Sequence, residues 1–111
     1  MDLQKLIDNF DCIPTFKGAK VEYFDYDDSN NMDMLTICFF NMQEKAKFNS
    51  INKVSFEFKG VDIEYVYLND FNLVASCSID LDKKEVEVKG EEGTGFKFKF
   101  EEFIGVNFPM W

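Results

Sequence analysis

The feature that most constrains this chain is a recurring alternation of apolar and charged residues with a period of two. It is clearest at Phe96, Phe98 and Phe100, which interleave with Lys97, Lys99 and Glu101. Successive side chains of a β-strand point to opposite faces, so this pattern makes one apolar and one wet face, as in antiparallel sheets solvated on one side. Val54, Phe56 and Phe58 repeat it against Lys53, Ser55, Glu57 and Lys59. Val61, Ile63, Tyr65 and Tyr67 alternate with Asp62 and Glu64, and Cys77, Ile79 and Leu81 with Ser78 and Asp80. Val86 and Val88 alternate with Glu85, Glu87 and Lys89. Residues 35–40 form a continuous apolar run, which predicts a central strand covered on both sides, and residues 21–26 an aromatic-rich, less regular strand.

The punctuation fits short connections. Asp82-Lys83-Lys84 predicts a hairpin turn, residues 90–95 a longer glycine-rich loop, and Gly60 either a tight turn or a bulge that bends one long strand. Only the N-terminus changes period. Leu3, Leu6, Ile7 and Phe10 recur at helical spacing behind a possible Asp2 cap, and residues 11–14 end the helix, because proline disfavours helix in the residue before it. The expected fold is α+β, mainly β: an antiparallel curled sheet or small sandwich of about six to eight strands with a short N-terminal helix. A length of 111 residues suits a single domain over residues 1–111, and 14 Phe in an apolar fraction of 46% can fill its interior.

Charge narrows the function. The chain carries 21 acidic and 12 basic residues, a formal net charge of -9; every basic residue is Lys, and there is no His. Without Arg it lacks the planar fork favoured by phosphates and guanine edges, and its negative field repels nucleic acid. The same field attracts a basic protein. Catalysis has few candidates, since acid–base work without imidazole falls to carboxylates, Lys, Tyr or Cys, and the pairs Glu91-Glu92 and Glu101-Glu102 point to opposite faces if extended. No enzymatic activity and no cofactor are expected. Cys12, Cys38 and Cys77 are odd in number and lack metal-knuckle spacing; Cys38 and Cys77 read as buried free thiols. They suit a reducing cytoplasm, as does an N-terminus without a basic leader. No stretch approaches the roughly 18 apolar residues of a membrane span, so no membrane partner is expected.

Three further features have both a chemical and a plain reading. In the acidic stretch 25–33, Asp25, Asp27 and Ser29 match the first oxygen positions of a calcium loop. Asn30 and Thr36 then stand where its glycine and bidentate glutamate belong, so a solvated turn is expected and no metal. Lys53, Lys59, Lys97 and Lys99 would make a basic stripe if their strands were neighbours, and otherwise are ordinary solubilising charge. The apolar end Phe108-Pro109-Met110-Trp111 is expected to dock into the core rather than stay open for a partner. The expected contact surface for a protein partner is the acidic loops, with Asp25, Asp27, Asp28, Asp33, Glu91 and Glu92. The alternatives are a β-barrel-like module enclosing an apolar small molecule, and a structural subunit of a larger assembly.

Several segments together resemble the immunity protein fifty family of bacterial polymorphic toxin systems. They are Val54-Ser55-Phe56-Glu57-Phe58-Lys59-Gly60-Val61, Leu68-Asn69-Asp70-Phe71-Asn72, Ile79-Asp80-Leu81, and Gly93-Thr94-Gly95-Phe96-Lys97-Phe98 with Pro109 beyond. The likeness spans roughly residues 16–109. It implies a small cytoplasmic protein that binds a co-encoded toxin domain and blocks it without catalysis, and the acidic charge of the chain favours a basic toxin domain. Such proteins often carry a His-Asp pair after an early Phe; here Phe16 is followed by Lys17-Gly18-Ala19-Lys20, so no site is carried over there.

Overall fold

The computed structural model describes residues 3–28, 33–43, 52–68 and 73–108. Helix α1 (Gln4–Phe10) precedes eight strands: β1 (Lys20–Asp27), β2 (Met34–Phe40), β3 (Lys53–Lys59), β4 (Asp62–Tyr67), β5 (Val74–Asp80), β6 (Glu85–Gly90), β7 (Gly95–Lys99) and β8 (Glu102–Asn107). They form two four-stranded antiparallel sheets, ordered β1-β2-β3-β8 and β4-β7-β6-β5. The mainly β, antiparallel expectation is met.

The two sheets are halves of one folded ribbon. β3 pairs with β8 from Ser55↔Asn107 to Lys59↔Glu102, and β4 with β7 from Asp62↔Lys99 to Tyr67↔Gly95. Residues 53–67 and 95–107 are thus two long strands paired along their length and bent across the middle. The bend passes through Gly60, at φ 69°, where an added Cβ would lie 2.7 Å from the Cβ and Cγ of Glu101. Only glycine reaches that backbone conformation without a steric cost and leaves room for its neighbour. The Glu101 N–H donates to the Lys59 carbonyl (3.0 Å) and the Val61 N–H to that of Asp33 (3.3 Å), holding the corner. The chain does bend at Gly60, but without a bulge there: the register shifts lie at Glu57/Phe58 and Ile63/Tyr65.

On the opposite side a short seam ties the sheets. Gly18 N–H donates to the Val74 carbonyl (2.9 Å) and Val74 N–H to that of Ala19 (2.8 Å), with a bridge between Lys20 and Leu73. The seam stops there, so the sheets do not close into a barrel.

Between the sheets lies a core of phenylalanines. Phe58 meets Phe98 edge to face at 5.0 Å and also packs on Phe100 and Phe103; Phe24 lies 4.8 Å from Phe96; Phe16 stacks on Phe39 at 4.6 Å. Each buried ring contributes roughly 1.5–3 kcal/mol of hydrophobic stabilisation. A cavity against Val21, Leu73, Val74, Val88 and Phe96 measures about 10 Å³, no more than a single water would need.

Helix α1 sends Leu3, Leu6 and Phe10 into the core, but Ile7, expected on the same face, is 39% exposed. The helix ends at Asp11, whose left-handed turn (φ 68°) lets its N–H donate to the Ile7 carbonyl, three residues before Pro14 could act. Asp2 lies outside the described residues. Of the apolar C-terminal end, Phe108 packs against the core and residues 109–111 lie outside the described set. Lys53 and Lys59 stand in one sheet and Lys97 and Lys99 in the other, so no basic stripe forms. Lys53 instead pairs with Glu22 (2.9 Å) and Lys97 with Glu64 (3.6 Å).

Candidate functional site

The acidic residues expected to form one contact surface fall at two ends of the sandwich. Asp25, Asp27 and Asp28 are exposed at the C-terminal end of β1, and Asp33 precedes β2, beside the Gly60 corner. Glu91 and Glu92 occupy the β6–β7 turn, next to Gly95, which pairs with Tyr67 at the far end of β4. The corner and that turn are separated by the length of β4, roughly 16 Å at the rise of a strand. The structure therefore places Asp28 and Asp33 by Tyr26, sets Asp25 and Asp27 on the alternate face of β1, and keeps Glu91 and Glu92 at the other end. Ser29 and Asn30 of the calcium-like stretch lie outside the described residues. Among those described, no group of three or more His, Cys, Asp or Glu side chains is arranged to hold a metal ion.

At the corner the carboxylates gather round one phenol. Tyr26 donates its hydroxyl to Oδ1 of Asp33 at 2.9 Å, and its ring is 39% exposed. That bond, some desolvation, and the nearby charges of Asp33, Asp28 and Asp62 hold the phenol above its ordinary pKa. Asp62, the first residue of β4, joins this group only because the ribbon folds back at Gly60. Among the described residues no ion pair engages Asp28, Asp33 or Asp62. The corner is an acidic surface with an aromatic at its centre, where Asp33 holds the Tyr26 hydroxyl and Asp62 stands opposite Lys99 in the β4–β7 pairing.

A second feature was not legible in the alternation. The β4–β7 register shifts between Ile63 and Tyr65, so that Glu64 is an extra, bulged residue. A bulge moves every later side chain to the other face. Tyr65 and Tyr67, read as core-facing with Val61 and Ile63, turn outward instead. Tyr65 donates to Oε2 of Glu87 (2.9 Å), its phenol raised by desolvation and by that bond, and stacks beside Tyr67 with centroids 6.0 Å apart. Together with Lys89, Gly90, Gly93 and Thr94 the two rings line an open groove of about 450 Å³. The groove's opposite wall is the β6–β7 turn, built by a left-handed Glu92 and Gly93 (φ 56° and 78°) and closed by the Thr94 hydroxyl and N–H on the Glu91 carbonyl (2.6 and 3.0 Å).

A third cluster owes its place to another bulge, between Val21 and Tyr23. It puts both Glu22 and Tyr23 on the outer face opposite Cys38, where Glu22 accepts from the Cys38 thiol (3.4 Å) and from Lys53 (2.9 Å). Burial and the Glu22 carboxylate push the Cys38 thiol up to about 12, and burial does the same for Cys77. Both stay protonated thiols at neutral pH, as poor nucleophiles. All three cysteines are free, and Cys12 is exposed.

The fold and its surface define an acidic, two-sheet antiparallel domain with an aromatic-centred carboxylate face. Comparison with known protein families, with curated proteins and with solved structures finds no match. No helix among the described residues is long and apolar enough to cross a membrane.

Proposed function

We propose that this chain is a non-catalytic binding protein that captures a basic protein through its acidic corner, and that its partner is a toxin domain which it neutralises by occlusion. The observation that carries the binding reading is the set of carboxylates Asp28, Asp33 and Asp62 around the exposed ring of Tyr26. Like charges gathered on a stiff sheet create a field that a cationic partner relieves, and a central aromatic supplies the apolar contact that binding sites favour. The toxin as partner is suggested by the resemblance of residues 54–61, 68–72, 79–81 and 93–98 to the immunity protein fifty family. The two thiols held up to about 12, and the absence of imidazole from the sequence, argue against nucleophilic or acid–base catalysis.

The test starts from the neighbouring genes: a secreted protein with a C-terminal toxin domain there supplies the partner, and the lack of one removes the immunity reading. Association measured by stopped flow should slow steeply with added salt, and the triple variant Asp28→Asn/Asp33→Asn/Asp62→Asn should associate about tenfold more slowly at low salt. Rates indifferent to both salt and the triple substitution would remove the acidic corner from the interface. Cells producing the toxin domain should survive only with this chain present; equal death with and without it would refute the immunity reading.

A further inference from the structure

We propose that the groove beside β4 seats a cationic side chain, arginine above all, from an extended segment of the basic partner; this rests on the binding reading above and adds a second contact to it. Four observations converge on the groove. Its wall is a pair of phenol rings side by side, and Tyr67 is 65% exposed, so a ring face is open to a ligand. A guanidinium lying flat on such a face is attracted by the ring's negative π cloud. Lys89 lines the groove, and Glu87, which holds the Tyr65 hydroxyl, with Glu91 and Glu92 of the adjoining turn outnumber it, while Glu64 and Lys97 engage each other. The local charge favours a cation.

The remaining observations concern shape. β4 is the edge strand of its sheet, and beyond the bulge at Glu64 its residues Val66, Tyr67 and Leu68 are 40%, 65% and 36% exposed. An added strand pairs with such an edge through its main chain and places alternate side chains on one face of the sheet. The opposite wall is low, because a Cβ added at Gly93 would meet no atom within 4 Å. A long side chain can therefore lie across the groove between Tyr67 and the β6–β7 turn, with its head near Glu91 and Glu92. Those two residues, remote from the acidic corner, thereby acquire a role.

The test is a nuclear magnetic resonance titration of the intact chain at low salt with penta-arginine, with penta-citrulline as the uncharged isostere, and with cellohexaose as a neutral ligand for aromatic platforms. Penta-arginine should shift the amides of residues 65–68 and 89–95, penta-citrulline should not, Tyr67→Ala should weaken binding about fivefold, and Tyr67→Phe should leave it within about twofold. Shifts confined to Tyr26, Asp28, Asp33 and Asp62 would overturn the groove and leave the acidic-corner reading standing. Equal binding of penta-citrulline would show that charge is not what the groove reads. Cellohexaose moving the groove resonances while penta-arginine is silent would make it a sugar platform instead. No binding of penta-arginine anywhere would overturn both the groove and the acidic surface as cation sites.

Discussion

Phe58 of β3 and Phe98 of β7 meet edge to face across the two sheets, with ring centroids 5.0 Å apart and planes at 73°. The contact is between the halves of the bent ribbon, since β3 continues into β4, and β4 pairs with β7. Fully buried Phe58 also touches the rings of Phe56, Phe100 and Phe103, making it a junction of the core. Truncating it removes ring contacts from both sheets at once. Phe58→Ala should cost about 3–5 kcal/mol in urea unfolding, whereas Tyr67→Ala on the surface should stay within about 0.5 kcal/mol. Comparable costs for the two would mean that the core is not organised around this contact.

The corner makes a different demand. Gly60→Ala would place a Cβ at φ 69° and within 2.7 Å of the Glu101 side chain. The left-handed backbone alone costs about 1 kcal/mol for alanine, and Glu101 must also shift aside. A loss of about 1–3 kcal/mol is expected by denaturant titration, with a sheet-rich circular dichroism spectrum retained. A neutral or stabilising outcome would show that the ribbon does not turn at this residue.

The thiols set an alkaline limit. In the folded chain Cys38 and Cys77 are raised to about 12 from an ordinary 9.0, so the native state holds their protons more tightly than the unfolded state. Their contribution to stability is fully present below pH 9 and is lost as pH climbs toward 12. Tyr23, Tyr26 and Tyr65, all raised above 10.0, act with the same sign. The melting temperature should be flat to about pH 9 and fall beyond it, and Cys77→Ala should make that fall shallower. Exposed Cys12 should react first with a thiol reagent in the native protein, and the other two on unfolding.

At the acidic corner, the hydroxyl of Tyr26 reports on its neighbours. Asp33→Asn replaces an accepting carboxylate with a neutral amide and removes one of the charges that hold the phenol up. The Tyr26 titration, followed by phenolate absorbance against a Tyr26→Phe reference, should move down toward the ordinary tyrosine value, and Asp62→Asn should move it in the same direction by less. An unmoved titration in Asp33→Asn would mean that the carboxylate cluster does not form in solution.

Much of the architecture was present in the residue pattern. Phe96 and Phe98 face inward with Lys97 outward, as their alternation required, and the run 35–40 became β2, central in its sheet, with Leu35, Ile37, Cys38 and Phe39 buried and Thr36 and Phe40 half-buried. The β5–β6 hairpin turns where Asp82-Lys83-Lys84 predicts, with the Asp80 carboxylate accepting from the N–H groups of Asp82 and Lys83 (3.0 Å each). What misled was the assumption of unbroken register. A single extra residue at Glu64 reverses the direction of Tyr65 and Tyr67, and one at Glu22 accounts for the irregularity of β1. Further register shifts leave Ala75 and Ile104 as extra residues, so the bulges share no required residue type and alternation alone does not reveal them.

Local physics decided which faces are apolar, because side-chain direction in a strand repeats every second residue and burial follows hydrophobicity. The chain's own composition likewise set its negative field. Which strands became neighbours was settled only by long-range pairing: the fold at Gly60 carried Asp62 to Asp28 and Asp33 and sent Glu91 and Glu92 to the other end. Charges near in space but far in sequence acquire their mutual energy from tertiary distance, and that distance exists only once the ribbon has bent.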